Sequence, residues 1–242
     1  MSTPKFQHQL QSIVAHAPLE VRDQFQQTID QVTSYGIRSF EDLLAVVQDE
    51  AVDPDTRVAV CWLLGQFGKK RAVYALLRAF DSQQDNLRRQ ASHAIGLVGS
   101  KAAVKPLLIA LRKGSTAEHR ADAAYALGHI GDARAVEPLL RSLADPEEDA
   151  RVRGQAAESL ANLRARGPAV YAALISVLAD ASAEVRFWAA FALGEIANSR
   201  EQEAIRALEH LAATDTAVVP GWWSVSREAE AALVQIKNRG DD

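Results

Sequence analysis

The sequence predicts an all-α fold, a right-handed α-solenoid built from stacked antiparallel helix pairs. Five segments can be laid over one another, and the arginine that opens each segment recurs at steps of 31, 32, 33 and 33 residues. Apolar residues stand three, four, seven and ten residues after these arginines, which is the spacing of one helix face. A repeat of this period is typical of stacked architectures. The five arginines are Arg57, Arg88, Arg120, Arg153 and Arg186.

The first 52 residues lack the repeat and predict an N-terminal helical cap over 1–52. Apolar spacing predicts helices at about Phe6–His16, Leu19–Ser34 and Phe40–Gln48. Their glutamine-rich polar face is typical of a segment that shields the first repeat of a stack from water.

Residues 53–215 predict five repeats, each made of two antiparallel helices joined by a tight turn. A glycine eight residues after the arginine, such as Gly128, lets the neighbouring helix approach closely. A glycine eleven residues after it, such as Gly68 or Gly131, stands where a left-handed residue ends a helix. A proline such as Pro138 falls near the start of the second helix, where its missing N–H costs little.

Residues 216–242 predict a loop and a degenerate capping repeat that complete one continuous domain. The step from Arg186 to the equivalent Ser226 is 40 residues, and the extra residues form the loop TAVVPGWWS. Insertions in solenoids map to loops, often on the binding side. Trp222 and Trp223 in this loop have two interpretations, an exposed contact ridge or an apolar plug of the last repeat.

The arginine that opens each repeat is expected to be structural. It would pair with acids at the repeat boundaries, such as Asp81, Asp145 and Asp180, because hydrogen-bonded arginine–carboxylate pairs fix geometry. The alternative is a row of arginines that binds a ligand. Cys61 stands at an inward, alanine-type position and predicts a buried, inert thiol.

The third repeat carries the motif V-R-x-x-A-A-x-A-L-G-x-I-G-D-x-R-A-V-x-P-L from His119 to Leu139, with His119 in the place of valine. This pattern resembles the short HEAT-like repeats first associated with phycobilisome lyases, and the resemblance covers about Asp53 to Asp215. It implies the stacked fold, and it implies that the arginine-bearing helix of each repeat lines a concave side. The matching residues hold a stack together, so they are specific for fold and unspecific for function.

The outward positions of the arginine-bearing helices form the predicted partner-binding face. They stand one, two, five and nine residues after each arginine, and they are aromatic or neutral-polar where an ordinary solvent face is rich in Lys and Glu. Such residues are enriched at the energetic centres of interfaces. The alternative is that adjacent helices bury them as core. The predicted face comprises Trp62, Gln90, His93, Asp122, Tyr125, His129, Gln155, Glu158, Phe187, Trp188, Phe191 and Glu195, and Ala59 stands at an equivalent position.

Composition argues against several classes of function. The net charge is −4 with a pI of about 5.9, and Lys and Arg are scattered, which disfavours a nucleic-acid groove. Apolar runs are too short to cross a membrane, and the N-terminus lacks the features of a secretory signal. With its single cysteine, the chain is expected in the cytoplasm, without a disulfide framework.

Resemblance to HEAT-like enzymes suggests three activities to consider. Diiron hydroxylases of this kind carry His-Glu dipeptides, and this sequence has none. DNA glycosylases of this kind need a basic channel, which the sequence lacks. Bilin lyases hold a tetrapyrrole, which His93, Tyr125 and His129 could line. No metal site is expected, because His8 and His16 are too sparse to form one.

The sequence therefore favours a non-enzymatic interaction scaffold or assembly factor that binds a protein partner on its concave face. This interpretation expects no cofactor, no nucleic acid and no membrane. The alternative is a phycobilin lyase or phycobiliprotein-processing factor that binds a tetrapyrrole, and lyases of this type commonly act as heterodimers.

Overall fold

The computed structural model describes residues 4–239, and within them the predicted all-α fold of the solenoid class is confirmed. The described chain forms fourteen α-helices and no strand, apart from one isolated bridge between Val218 and Ser224. Met1–Thr3 of the predicted cap and residues 240–242 at the other end lie outside the described residues. The helices are α1 Pro4–His16, α2 Arg22–Ser34, α3 Phe40–Gln48, α4 Pro54–Phe67, α5 Val73–Phe80, α6 Asp85–Val98, α7 Val104–Lys113, α8 Ala117–Ile130, α9 Val136–Ala144, α10 Ala150–Asn162, α11 Pro168–Ser176, α12 Ala183–Ile196, α13 Gln202–Thr214 and α14 Val225–Arg239.

The chain divides into two compact units, one ending at Pro106 and the other starting at Leu107. Helices α1 to α6 belong to the first unit and α8 to α14 to the second. The predicted boundaries at residues 52 and 215 stay predictions.

The first unit contains the N-terminal helices, the first arginine-bearing pair and the arginine-bearing helix α6. The three predicted N-terminal helices are present, with the second divided into a 3-10 turn, Leu19–Val21, and α2. Side-chain caps begin two of the helices: Ser39 accepts the N–H of Asp42 ahead of α3, and Asp53 accepts that of Thr56 ahead of α4. Helix α4 packs against α2, α3 and α6.

The second unit places α8, α10, α12 and α14 in sequence, each packed against the next. Glycines make this close packing possible. A Cβ on Gly128 would lie 2.8 Å from Cβ of Ser159, and one on Gly194 would lie 2.8 Å from Cα of Ala232. The predicted close approach at the glycine eight residues after the arginine is confirmed at these two positions.

The predicted helix stops are also confirmed. Gly68 and Gly131 have φ of 61° and 74°, in the left-handed region that glycine adopts without strain. In the fourth repeat Arg164 takes the equivalent position with φ of 50°, so this repeat ends its helix the same way without glycine.

The arginine row forms ion pairs within the second unit. Arg153 contacts Asp180 at 2.9 Å, as the sequence predicts, and Arg186 contacts Asp215 at 2.6 Å. Arg120 pairs with Glu148 at 2.7 Å. The expected acid Asp145 instead accepts the N–H of Glu147, because it lies in the turn after α9 where its side chain closes on the backbone.

In the first unit the arginines also contact groups of their own unit. Arg57 Nε donates to the carbonyl of Val47 at 3.2 Å, and Arg88 contacts Asp85 one turn earlier at 2.7 Å. The inward thiol beside them follows the prediction. Cys61 is buried, and burial raises the pKa of its thiol to about 12.

Candidate protein-binding surfaces

The most prominent surface feature of the second unit is an aromatic cluster formed by five side chains. Helix α12 supplies three of them, and the loop before α14 supplies two. Trp188 is central: its ring centroid lies 5.5 Å from that of Phe191 and 5.2 Å from that of Trp222. The aromatic cluster consists of Phe187, Trp188, Phe191, Trp222 and Trp223.

A tight turn presents the two loop tryptophans. The N–H of Trp222 donates to the carbonyl of Val219 at 2.9 Å, and Gly221 between them has φ of 82°. Proline followed by glycine at the centre of a turn is the pattern of type II. Val219 is buried and anchors the turn, and the N–H of Val225 donates to the carbonyl of Ala217.

The indole of Trp223 is held on two sides. Its Nε1 donates to Oε2 of Glu228 at 2.8 Å, and the guanidinium of Arg227 lies over its ring at 5.2 Å. Burial raises the pKa of Glu228, the indole hydrogen bond opposes the rise, and the charge of Glu195 adds to it. Trp223 therefore has a fixed orientation.

The loop tryptophans combine the two predicted roles, an exposed contact ridge and an apolar plug of the last repeat. Trp222 is 49% exposed and Trp223 is 39% exposed. Their inner faces pack on Phe187, with centroid distances of 5.7 and 6.1 Å. The pair thus covers apolar residues beneath it and still offers indole surface to solvent.

Two residues that the sequence places on the exposed face are buried in the structure. Phe187 is 1% exposed, because the tryptophan loop folds over it and turns it into the floor of the aromatic cluster. Ala59 is 7% exposed, because its short side chain lies under the packing of α2 on α4.

Sequence reasoning missed the contribution of Gly154. A Cβ at this position of α10 would lie 3.0 Å from Cδ1 of Trp188. The glycine therefore leaves room for the indole. The signal in the sequence was a glycine one residue after the arginine in the repeat that precedes the tryptophan.

The polar part of the predicted face in the second unit lies on α8 and α10. The rings of Tyr125 and His129 stack at 4.1 Å, and Gln155 Nε2 donates to Glu158 at 2.6 Å. Burial raises the pKa of Glu158, with the Gln155 hydrogen bond opposing it. Burial and the Glu158 charge both raise the pKa of Tyr125. Asp122 is half-buried beside them on α8.

The first unit contains a cavity of about 290 Å³. Two residues of the predicted face, Trp62 and Gln90, line it, and His93 is half-buried on the same helix as Gln90. The sequence did not indicate that α2 forms the opposite wall. The remaining lining residues are Gln24, Phe25, Thr28, Gln31, Asp55, Val58 and Ala59.

Within residues 4–239, no group of three or more His, Cys, Asp or Glu side chains is placed to hold a metal ion. The helices of this part of the chain are all too short or too polar to cross a membrane.

Comparison with known protein families identifies the family of this chain. The profile described as HEAT repeats matches residues 40–121, 81–161, 104–178 and 147–225. These matches cover most of the sequence, and the chain belongs to the HEAT repeat family. Comparison with curated proteins gives no match.

Comparison with solved structures gives matches to several repeat proteins and enzymes. A designed armadillo repeat protein in complex with the peptide (KR)4 is 20% identical, with a TM-score of 0.50 over 81% of this chain and 98% of that chain. The complex of CpcE and CpcF of phycocyanin lyase from Nostoc sp. PCC7120 is 18% identical, with a TM-score of 0.48 over 94% of each chain. Human deoxyhypusine hydroxylase is 18% identical, with a TM-score of 0.43 over 96% of each chain.

Proposed function

We propose that this HEAT repeat protein is a non-enzymatic scaffold or assembly factor that binds a protein partner through the face of its arginine-bearing helices. The observation that carries the proposal is the exposed indole pair of the aromatic cluster. Trp222 and Trp223 remain 49% and 39% exposed while both pack on Phe187, and the indole of Trp223 is hydrogen-bonded to Glu228.

Rigid, exposed aromatics suit a binding surface for two reasons. Indole rings bury a large apolar area with few rotatable bonds, so they contribute strongly when a partner covers them. Because Trp223 is already fixed by Glu228 and Arg227, little ordering entropy is lost on binding. The fold class is compatible with this use, since the designed armadillo repeat protein was solved in complex with a peptide.

Acidic side chains on α12 and on the adjacent helix α10 supply a polar rim for this surface. Glu195 is exposed on α12, and Glu158 is half-buried on α10. Aromatic anchors with a polar rim form the usual anatomy of a protein interface.

Affinity capture from a lysate of the source organism tests the proposal. Trp222→Ala removes an exposed ring, and Tyr74→Ala is the matched control because Tyr74 is 70% exposed on α5, outside the aromatic cluster. We expect a partner that wild type and Tyr74→Ala retain and Trp222→Ala loses. Capture that is identical for all three proteins would refute the assignment of the binding surface.

A second proposal is a phycobilin lyase or phycobiliprotein-processing factor, which would act as a heterodimer. The observation that favours it is the stacked Tyr125–His129 pair near Glu158, whose pKa is raised by burial. A stacked pair offers flat surface to a tetrapyrrole, and a neighbouring acid could exchange a proton with it. The visible absorption spectrum of phycocyanobilin would then change when the protein is added, and the Tyr125→Ala protein would not produce this change. An unchanged spectrum would contradict this second proposal.

A further inference from the structure

We propose that the cavity of the first unit receives an arginine side chain of the protein partner. This inference rests on the proposed scaffold function and adds a second, chemically specific contact to it. Three helices build the cavity, and all of its lining residues belong to the first unit.

Two facing helical stripes form the walls. On α4 the lining residues follow the spacing of one helix face from Asp55 to Trp62, and on α2 they do so from Gln24 to Gln31. Gln90 of α6 completes the lining. The walls are therefore presented by regular helices rather than by loops.

The charge of the lining selects a cation. Asp55 is the single charged residue among the lining side chains, and no Lys, Arg or His is one of them. Asp55 is exposed, so its carboxylate stands at the mouth of the cavity. An incoming cation meets this negative charge there, with no positive side chain among the lining residues.

The aromatic residues of the cavity favour a guanidinium. Phe25 and Trp62 meet edge to face, with ring centroids 4.5 Å apart. A guanidinium stacks on an indole face and can bond a carboxylate with two parallel N–H groups. The side-chain oxygens of Gln24 and Gln31 can accept its remaining N–H groups.

An unpartnered amide in the lining favours an arginine that brings a hydrogen-bond acceptor with it, such as the carbonyl of its own peptide bond. Gln90 Nε2 is buried, and it has no hydrogen-bond partner among the described residues. A buried donor without an acceptor is costly. A guanidinium has no acceptor to offer, but the backbone carbonyl of a peptide does. Because Nε2 is closed off from solvent, the Gln90 side chain rotates toward the cavity that it lines when it donates to the peptide carbonyl.

The size of the cavity agrees with a single side chain. Its volume of about 290 Å³ falls just below the range of sites for whole small molecules, about 300–1,000 Å³.

Fluorine NMR tests the inference with the intact protein labelled with 5-fluorotryptophan. The chain has four tryptophans, so each gives one signal, assigned by single Trp→Phe variants. The probe is the peptide Ac-Gly-Arg-Gly-NH2, and its neutral control has citrulline in place of arginine. We expect the arginine peptide to shift the Trp62 signal saturably and the citrulline peptide to bind about tenfold more weakly or not at all.

A matched pair of variants locates the charge. Asp55→Asn should weaken the arginine peptide about tenfold. Asp23→Asn should leave binding unchanged, because Asp23 is an exposed acid in the first turn of α2 that does not line the cavity. Equal binding of the arginine and citrulline peptides, or an unchanged Trp62 signal, would overturn the inference.

A third ligand separates a partner's arginine from the free amino acid. Tighter binding of free L-arginine than of the peptide would overturn the assignment to a polypeptide. The outcome is also independent of the scaffold proposal, which the Trp222→Ala capture tests in the other unit. If Trp222→Ala loses the partner and the peptide leaves the Trp62 fluorine signal unchanged, the scaffold proposal stands and only the arginine site is refuted.

Discussion

The indole of Trp188 lies directly against the backbone of Gly154, so that a Cβ on Gly154 would come within 3.0 Å of Cδ1 of the ring. The two residues belong to the neighbouring helices α10 and α12, which pack on one another. Gly154 therefore leaves room for Trp188, the central ring of the aromatic cluster.

Gly154→Ala should lower the free energy of unfolding by about 1 kcal/mol, because the added methyl group forces the indole to move. In the Trp188→Ala background the same change should raise the free energy of unfolding by about 1 kcal/mol, because alanine is the better helix former. Urea denaturation of the four proteins measures both effects. Equal effects in the two backgrounds would show that Gly154 and Trp188 are not coupled.

The buried carboxyl of Glu228 should make stability depend on pH. Its pKa in the folded protein is raised above the ordinary value of 4.5, mainly by burial, so the folded state holds this proton to higher pH than the unfolded chain does. The contribution of Glu228 is therefore complete below about pH 4.5 and is lost as pH rises through the folded pKa. Glu228→Gln should raise the Tm relative to wild type near pH 7, and the gain should vanish near pH 4.

Glu230→Gln is the control for this prediction, since Glu230 is exposed on the same helix. The difference in Tm between Glu230→Gln and wild type should not change with pH. A Glu228→Gln protein that is less stable than wild type at every pH would contradict the account, because it would mean that the ionised carboxylate is required.

Removal of an arginine from the row should cost more than removal of an exposed arginine. Arg120 makes two-pronged contacts with Glu148, whose side chain is 13% exposed, and the hydrogen bond to Glu148 raises the pKa of Arg120. Arg120→Ala should reduce the free energy of unfolding by about 2 kcal/mol, since it leaves a carboxylate partly buried without its partner.

Arg141 provides the comparison, because it pairs with Glu137 one turn away on α9 and both side chains are exposed. Arg141→Ala should cost about 0.5 kcal/mol or less. Chemical denaturation followed by circular dichroism measures both variants. Equal losses would contradict a structural role of the arginine row.

The close approach of α8 and α10 gives a further prediction. Gly128→Ala would bring a methyl group within 2.8 Å of Cβ of Ser159, whose hydroxyl donates to the carbonyl of Ala124. We expect a loss of about 2–3 kcal/mol, because neither helix can move away without disturbing this hydrogen bond. A stable Gly128→Ala protein with an unchanged Tm would show that the two helices are free to separate.

The sequence predicts the helices and their ends well, because the same residue types recur at the same positions of each repeat. Gly68 and Gly131 end their helices in the predicted left-handed conformation, and Arg153 finds Asp180 as expected. These features depend on neighbours whose position the period fixes.

The candidate site was less predictable because its contacts are not periodic. Phe187 is buried only because the inserted loop returns over it, and no spacing encodes that contact. The wall of the cavity comes from α2, outside the repeats, where Phe25 meets Trp62. The role of Gly154 depends on a tryptophan in the next repeat, so it is visible only when the two helices are placed together.

The most direct test of the scaffold account is the affinity of the captured partner for purified wild type, Trp222→Ala and Tyr74→Ala, measured by calorimetry beside the Tm of each protein. The account predicts a loss of at least about tenfold in affinity for Trp222→Ala, with its Tm lowered by no more than about 5 °C and with Tyr74→Ala unchanged. Undiminished affinity of a folded Trp222→Ala protein would contradict it.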